Sequence, residues 1–148
     1  MEAPTPMSST TLAQTSHDRT DDADVVELEV PAAAAYIAVV RTAAAGLAAR
    51  VDLTLDRIED LRIAVDEACA LLVHHPSVGT APDSLLCTFT MNAASLTVDV
   101  SGPYTVLPEK SAFAWAVLSA LVDGLECGDE DGRTWLRLVV RRGDGQWS

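Results

Sequence analysis

One helix constrains this chain more than anything else in it. Between residues 55 and 74, Leu55, Ile58, Leu61, Val65, Ala68, Cys69 and Leu72 recur at steps of three and four. That period gathers them on one side of an α-helix. Thr54 stands where an N-cap is wanted, with Arg57 in place of the acid that completes a capping box, and Pro76 provides the stop. With the apolar stripe centred near Val65 and Ala68, Asp60, Ala64, Glu67 and Leu71 share a separate face. Glu67 and Leu71 lie one turn apart on it.

The flanking segments supply a sheet for this helix to cover. Residues 25–30 alternate, with Val26, Leu28 and Val30 on one face and Glu27 and Glu29 on the other, as in a half-buried strand near a sheet edge. Pro31 fits a helix start, and residues 32–49 form an alanine-dense helix with Tyr36, Ile37, Val40 and Leu47 as its bulky contacts. Residues 85–91 and 96–100 alternate again, and the short stretch 92–95 between them suits a hairpin. An amphipathic helix over residues 111–125 follows, with Phe113, Val117, Leu118, Leu121 and Val122 available for burial. After an acidic loop, residues 128–132, comes a last strand over residues 134–140. The order strand, helix, helix, strand, strand, helix, strand predicts an α/β (α+β) two-layer sandwich, a mostly antiparallel sheet with helices on one face.

The 148 residues suffice for one domain burying roughly 70% of its unfolded-chain surface. Residues 1–24, rich in Ser, Thr, Pro and Asp, read as a disordered tail, residues 25–142 as the domain and residues 143–148 as a C-terminal tail. A formal charge of −12 repels nucleic acid and anionic membranes and favours a basic protein partner. Residues 1–20 lack the apolar core of a signal peptide, and Arg41, Arg50 and Asp52 interrupt the longest apolar run, so a soluble cytoplasmic protein is expected. Cys69, Cys87 and Cys127 lack metal-ligand spacing; Cys69 and Cys87 read as core fillers. His74 and His75 are adjacent and lack the i, i+4 spacing of a helical metal site, so they fit a helix C-terminus favoured by its dipole.

The order of elements, together with the run Ala64-Val65-Asp66-Glu67-Ala68-Cys69-Ala70 and His75, resembles the anti-sigma-factor serine kinases. These share the ATP-binding fold of histidine kinases and gyrase. The resemblance extends from about residue 25 to residue 142. It implies an ATPase-like fold in which Glu67 corresponds to the glutamate that polarises the attacking hydroxyl. Four residues on, the family's magnesium-holding asparagine is replaced by Leu71, and magnesium takes oxygen ligands. The family's Asp-x-Gly-x-Gly, whose aspartate reads adenine, corresponds to Val100-Ser101-Gly102-Pro103-Tyr104, and Asp99 lies one register away within its strand. The glycine-rich lid is replaced by Ser111-Ala112-Phe113-Ala114-Trp115.

Glu67, Leu71 and Gly102 therefore outline a degenerate ATP site. Glu67 is read either as a relic, solvated on its helix, or as a general base, and ATP and magnesium bind only if the site still functions. The resemblance implies a binding protein that sequesters an alternative sigma subunit of RNA polymerase, in stress or sporulation, as a negative regulator of transcription. An anti-anti-sigma (STAS-type) antagonist would release it. The alternative is an ATP-dependent serine/threonine kinase acting on that antagonist. A third reading fills the vacated pocket, made apolar by Leu71, Phe113 and Trp115, with another ligand. Dimeric relatives make a homodimer part of the expectation, and no metal site is expected. Arg41, in the first helix, corresponds to an arginine that binds the sigma factor and its antagonist in the family. Its other reading is an exposed side chain, solvated or paired with Glu27 or Glu29.

Overall fold

The computed structural model describes residues 23–73 and 83–143. The elements run β1 (Asp24–Pro31), a short 3-10 turn (Ala34–Tyr36), α1 (Ile37–Arg50), α2 (Leu55–Leu72), β2 (Ser84–Met91), β3 (Ser95–Pro103), α3 (Phe113–Leu121), β4 (Gly124–Glu130) and β5 (Arg133–Arg141). The five strands form one sheet in the order β1-β2-β3-β5-β4, antiparallel at every pairing. This is the expected two-layer α+β sandwich with one strand more than expected.

Strand alternation builds the core. Leu85, Cys87, Phe89 and Met91 of β2, Leu96, Val98 and Val100 of β3, and Leu136, Leu138 and Val140 of β5 are buried on the face that the helices cover. The intervening residues, among them Thr88, Asp99, Trp135 and Arg137, stay partly or fully exposed on the other face. α2 lies between α1 and α3 and packs on β3 and β5. Being flanked on both sides widens its buried arc, so Ala64, placed on the polar face from sequence, is buried beside Leu61, Val65, Ala68, Cys69 and Leu72. Thr54 caps α2 as expected, its Oγ1 accepting the Arg57 amide at 3.2 Å. Leu55, at the first position of α2, stays 73% exposed.

Several boundaries differ from expectation for local reasons. Asp24, assigned to the tail, opens β1. Pro31 ends β1 opposite Ser84 instead of starting a helix; on an edge strand its missing N–H costs nothing. α1 buries the small-residue line Val40, Ala44 and Ala48, which brings its backbone close to α2, while Tyr36 stays exposed. α2 stops at Leu72 because Val73 is already extended (φ −95°, ψ 104°). His74 and His75, with residues 1–22 and 144–148, lie outside the described residues.

The main correction is β4. The sequence predicts a helix running to residue 125 and an acidic loop over residues 128–132; α3 instead ends at Leu121, and residues 124–130 form an edge strand paired with β5. Asp131 and Gly132, at φ 53° and 77°, make the two-residue turn that joins them. Gly128 faces Trp135 across the pair, and a Cβ there would lie 2.9 Å from the indole. Only glycine lets the ring lie across β4. Among the described residues no helix is long and apolar enough to cross a membrane.

Candidate functional site

Glu67 and Leu71 sit on the second half of α2, and Gly102 comes to the last turn of the same helix. A Cβ on Gly102 would meet Leu85 at 3.0 Å and the Leu72 Cβ at 3.3 Å. Close packing of β3 on α2 is therefore reason enough for a glycine here, whatever else the site does. Glu67 is half-buried and makes no ion pair or side-chain hydrogen bond among the described residues. Leu71 is half-buried and packs against the core.

Val100 is wholly buried among the inward-facing strand residues. Asp99 points to the opposite face, where it accepts from Arg137 Nε at 2.6 Å. It cannot replace an acid at Val100 without turning the strand over. Neither hydrocarbon side chain, Leu71 nor Val100, offers an oxygen to a cation or an acceptor to an amino group.

The segment leading to α3 is held against the sheet. Tyr104 N–H donates to Gly132 O at 3.1 Å, and Thr105 N–H donates to Thr134 Oγ1 at 2.9 Å. The Thr134 hydroxyl lies 3.1 Å from Thr105 O and 2.9 Å from Asp129 Oδ1, two acceptors that share its one proton. Further along, Trp115 Nε1 donates to Pro108 O at 2.9 Å. Thr134 is the one polar side chain fully buried among the described residues. Its signal in the sequence was a lone hydroxyl in the inward row it shares with Leu136, Leu138 and Val140.

Leu71, Phe113 and Trp115 do not converge into an apolar pocket. Trp115 is buried, whereas Phe113, at the first position of α3, is 80% exposed.

Arg41 pairs with Asp66 of α2, not with Glu27 or Glu29, which lie on the far face of β1. Its Nη1 donates to both Asp66 oxygens at 2.9 Å. Asp66 stands beside Glu67, so the pair ties α1 to the candidate site. Sequence reasoning passed over Asp66, because the residue that partners it is distant in the chain.

The buried thiols are chemically quiet. Burial pushes the Cys87 thiol up to about 11. Cys69 is raised further, first by burial and then by Cys87 and Asp66.

Comparison with known proteins fits this geometry. The model of the histidine kinase-like ATPase domain matches residues 30–140. The serine-protein kinase RsbW of Bacillus cereus (strain Q1) is 29% identical over 131 residues, covering 75% of this chain and 81% of that protein. RsbW of Bacillus subtilis (strain 168) is 46% identical over 55 residues, 37% of this chain and 34% of that protein. The crystal structure of the RsbU and RsbW domains of Rv1364c from Mycobacterium tuberculosis superposes with a TM-score of 0.63 at 16% identity, over 80% of this chain and 32% of that one. That likeness concerns the fold. The match from β1 through β5 is the ground for the assignment: this chain belongs to the histidine kinase-like ATPase domain family.

Proposed function

We propose that this chain is an anti-sigma factor, working by binding rather than by phosphoryl transfer. It holds an alternative sigma subunit of RNA polymerase and releases it to an anti-anti-sigma antagonist, with Arg41 on α1 at the contact. The observation that carries the reading is the pair Leu71 and Val100. Leu71 and Val100, which the sequence resemblance matches to the family's magnesium and adenine positions, are both given to apolar packing. The likeness to the RsbW serine-protein kinases supports the choice of partner class. So does the charge of −12, which suits the basic, DNA-facing surface of a sigma subunit.

Glu67 favours a second reading, a serine kinase acting on the antagonist. It is the retained acid of the motif helix, and no described residue occupies its carboxylate.

Size-exclusion chromatography separates the two readings. The full chain is mixed with each alternative sigma subunit of its own organism, with and without Mg-ATP. A stable complex indifferent to ATP is the expected result. A complex that forms only with ATP transfers the case to the kinase, and no complex with any sigma subunit overturns the binding reading.

A further inference from the structure

Among the described residues, the Arg41–Asp66 pair leaves half of the guanidinium without a partner. Both carboxylate oxygens are served by one nitrogen, Nη1. The edge formed by Nη2 and Nε, which matches a carboxylate with two parallel hydrogen bonds, has no partner among the described residues. A side-on two-pronged ion pair would have used that edge up.

The surroundings are almost free of charge. Three and four residues from Arg41 along α1 stand Ile37, Ala38 and Ala45, and beside Asp66 on α2 stand Ile63 and Ala70. Arg62, also one turn from Asp66, pairs with Glu59 instead. Ile63 is 50% exposed. One ion pair therefore sits in a mostly uncharged strip spanning two helices, with Glu67 the carboxylate next to Asp66, an arrangement that resembles an interface anchor ringed by contacts that exclude water.

We infer that Asp66 is a positioning residue for Arg41. It grips the guanidinium by one nitrogen and keeps the opposite edge open for a carboxylate of the docked protein. Two costs of binding fall as a result. The arginine has already surrendered part of its rotamer freedom. It also enters the interface as half of a neutral pair, which reduces the penalty of burying a lone cation. The inference rests on the proposed role of Arg41 in the sigma contact and adds the residue that makes that role effective.

Two measurements on the full chain test it. The first is independent of any partner: side-chain 15N NMR of the Arg41 guanidinium. Hindered rotation in the wild type, freed in Asp66→Ala, is expected; free rotation already in the wild type overturns the inference. The second is titration calorimetry with the sigma subunit retained in the chromatography above. Arg41→Ala and Asp66→Ala should each weaken binding by about tenfold or more, and the double variant should bind no more weakly than Arg41→Ala alone. Weakening in Arg41→Ala with unchanged or tighter binding in Asp66→Ala overturns the positioning role and leaves the sigma contact standing. Unchanged affinity in Arg41→Ala, or no sigma subunit to titrate, removes the contact and the inference together. Matching unfolding midpoints separate all of these results from loss of fold.

Discussion

The hydroxyl of Thr134 accepts the amide of Thr105 at 2.9 Å and lies 3.1 Å from that residue's carbonyl oxygen. A buried side chain on β5 thereby does what a strand neighbour would do for a segment that has left the sheet. The segment is fastened at its start by Thr134 and, through Trp115 Nε1, at Pro108.

Thr134→Val keeps the shape and removes the fastening. The Thr105 N–H then loses its partner in a largely dry place, and the Asp129 carboxylate loses a donor. A loss of about 1–3 kcal/mol in denaturant unfolding is expected. Hydrogen exchange at Thr105 should quicken well before exchange at the β3 amides. Exchange there at the wild-type rate would show that Thr134 is not what holds the segment.

Gly128→Ala should cost about 1 kcal/mol, the scale of a small overpacking. The new methyl would lie 2.9 Å from the Trp135 ring. That ring faces solvent and can swing aside, so the strand pairing survives. Its departure also breaks the stacking of Arg137, whose guanidinium carbon lies 5.8 Å from the ring centroid. A red-shifted tryptophan emission with an intact far-UV spectrum is the expected signature. An unshifted emission would mean that the ring tolerates the methyl in place.

The cysteines predict both reactivity and an alkaline weakness. Cys127 is half-exposed while Cys69 and Cys87 are buried, so a thiol reagent should label Cys127 first and the other two only on unfolding. Both buried thiols have folded pKa values above the ordinary value of 9.0. The unfolded chain therefore releases these protons first as pH rises. The stability they contribute is fully present below pH 9, falls as pH climbs from there through about 11 for Cys87, and continues to fall for Cys69. Urea midpoints measured between pH 8 and pH 11 should drop, and more steeply than in a Cys87→Ala variant. Parallel curves would remove Cys87 as a source of the slope.

How much of this was legible follows from which forces act locally. The α2 stripe, the Thr54 cap and the inward rows of β2, β3 and β5 could be read because burial writes its period into the sequence. β4 could not. As an edge strand it buries no residue fully, and two glycines with three acids give it little strand character. The Asp131-Gly132 turn signal was present without a visible strand before it. At the site, the placement of Glu67 one turn from Leu71, and of Asp99 on the wrong face for Val100, followed from helical and strand periods alone. The Arg41–Asp66 pair and the Thr134–Thr105 fastening did not. They join residues 25 and 29 positions apart, and only the packing of one element on another decides such partners.

Under the proposed binding reading, Leu71→Asn asks whether a leucine at the position matched to a magnesium ligand is all that stands against nucleotide binding. Asparagine places an oxygen donor one turn from Glu67. Val100 still offers adenine no acceptor, and the segment before α3 stays fastened to Thr134. The substitution also replaces a leucine packed on the core with a polar amide, at an expected cost of about 1–2 kcal/mol. The variant should therefore unfold earlier and give no Mg-ATP heat in calorimetry at millimolar nucleotide. Binding by Leu71→Asn alone would place the defect at that single residue. Binding by the unaltered chain, abolished by Glu67→Ala, would go further and make the serine kinase the better reading of the whole protein.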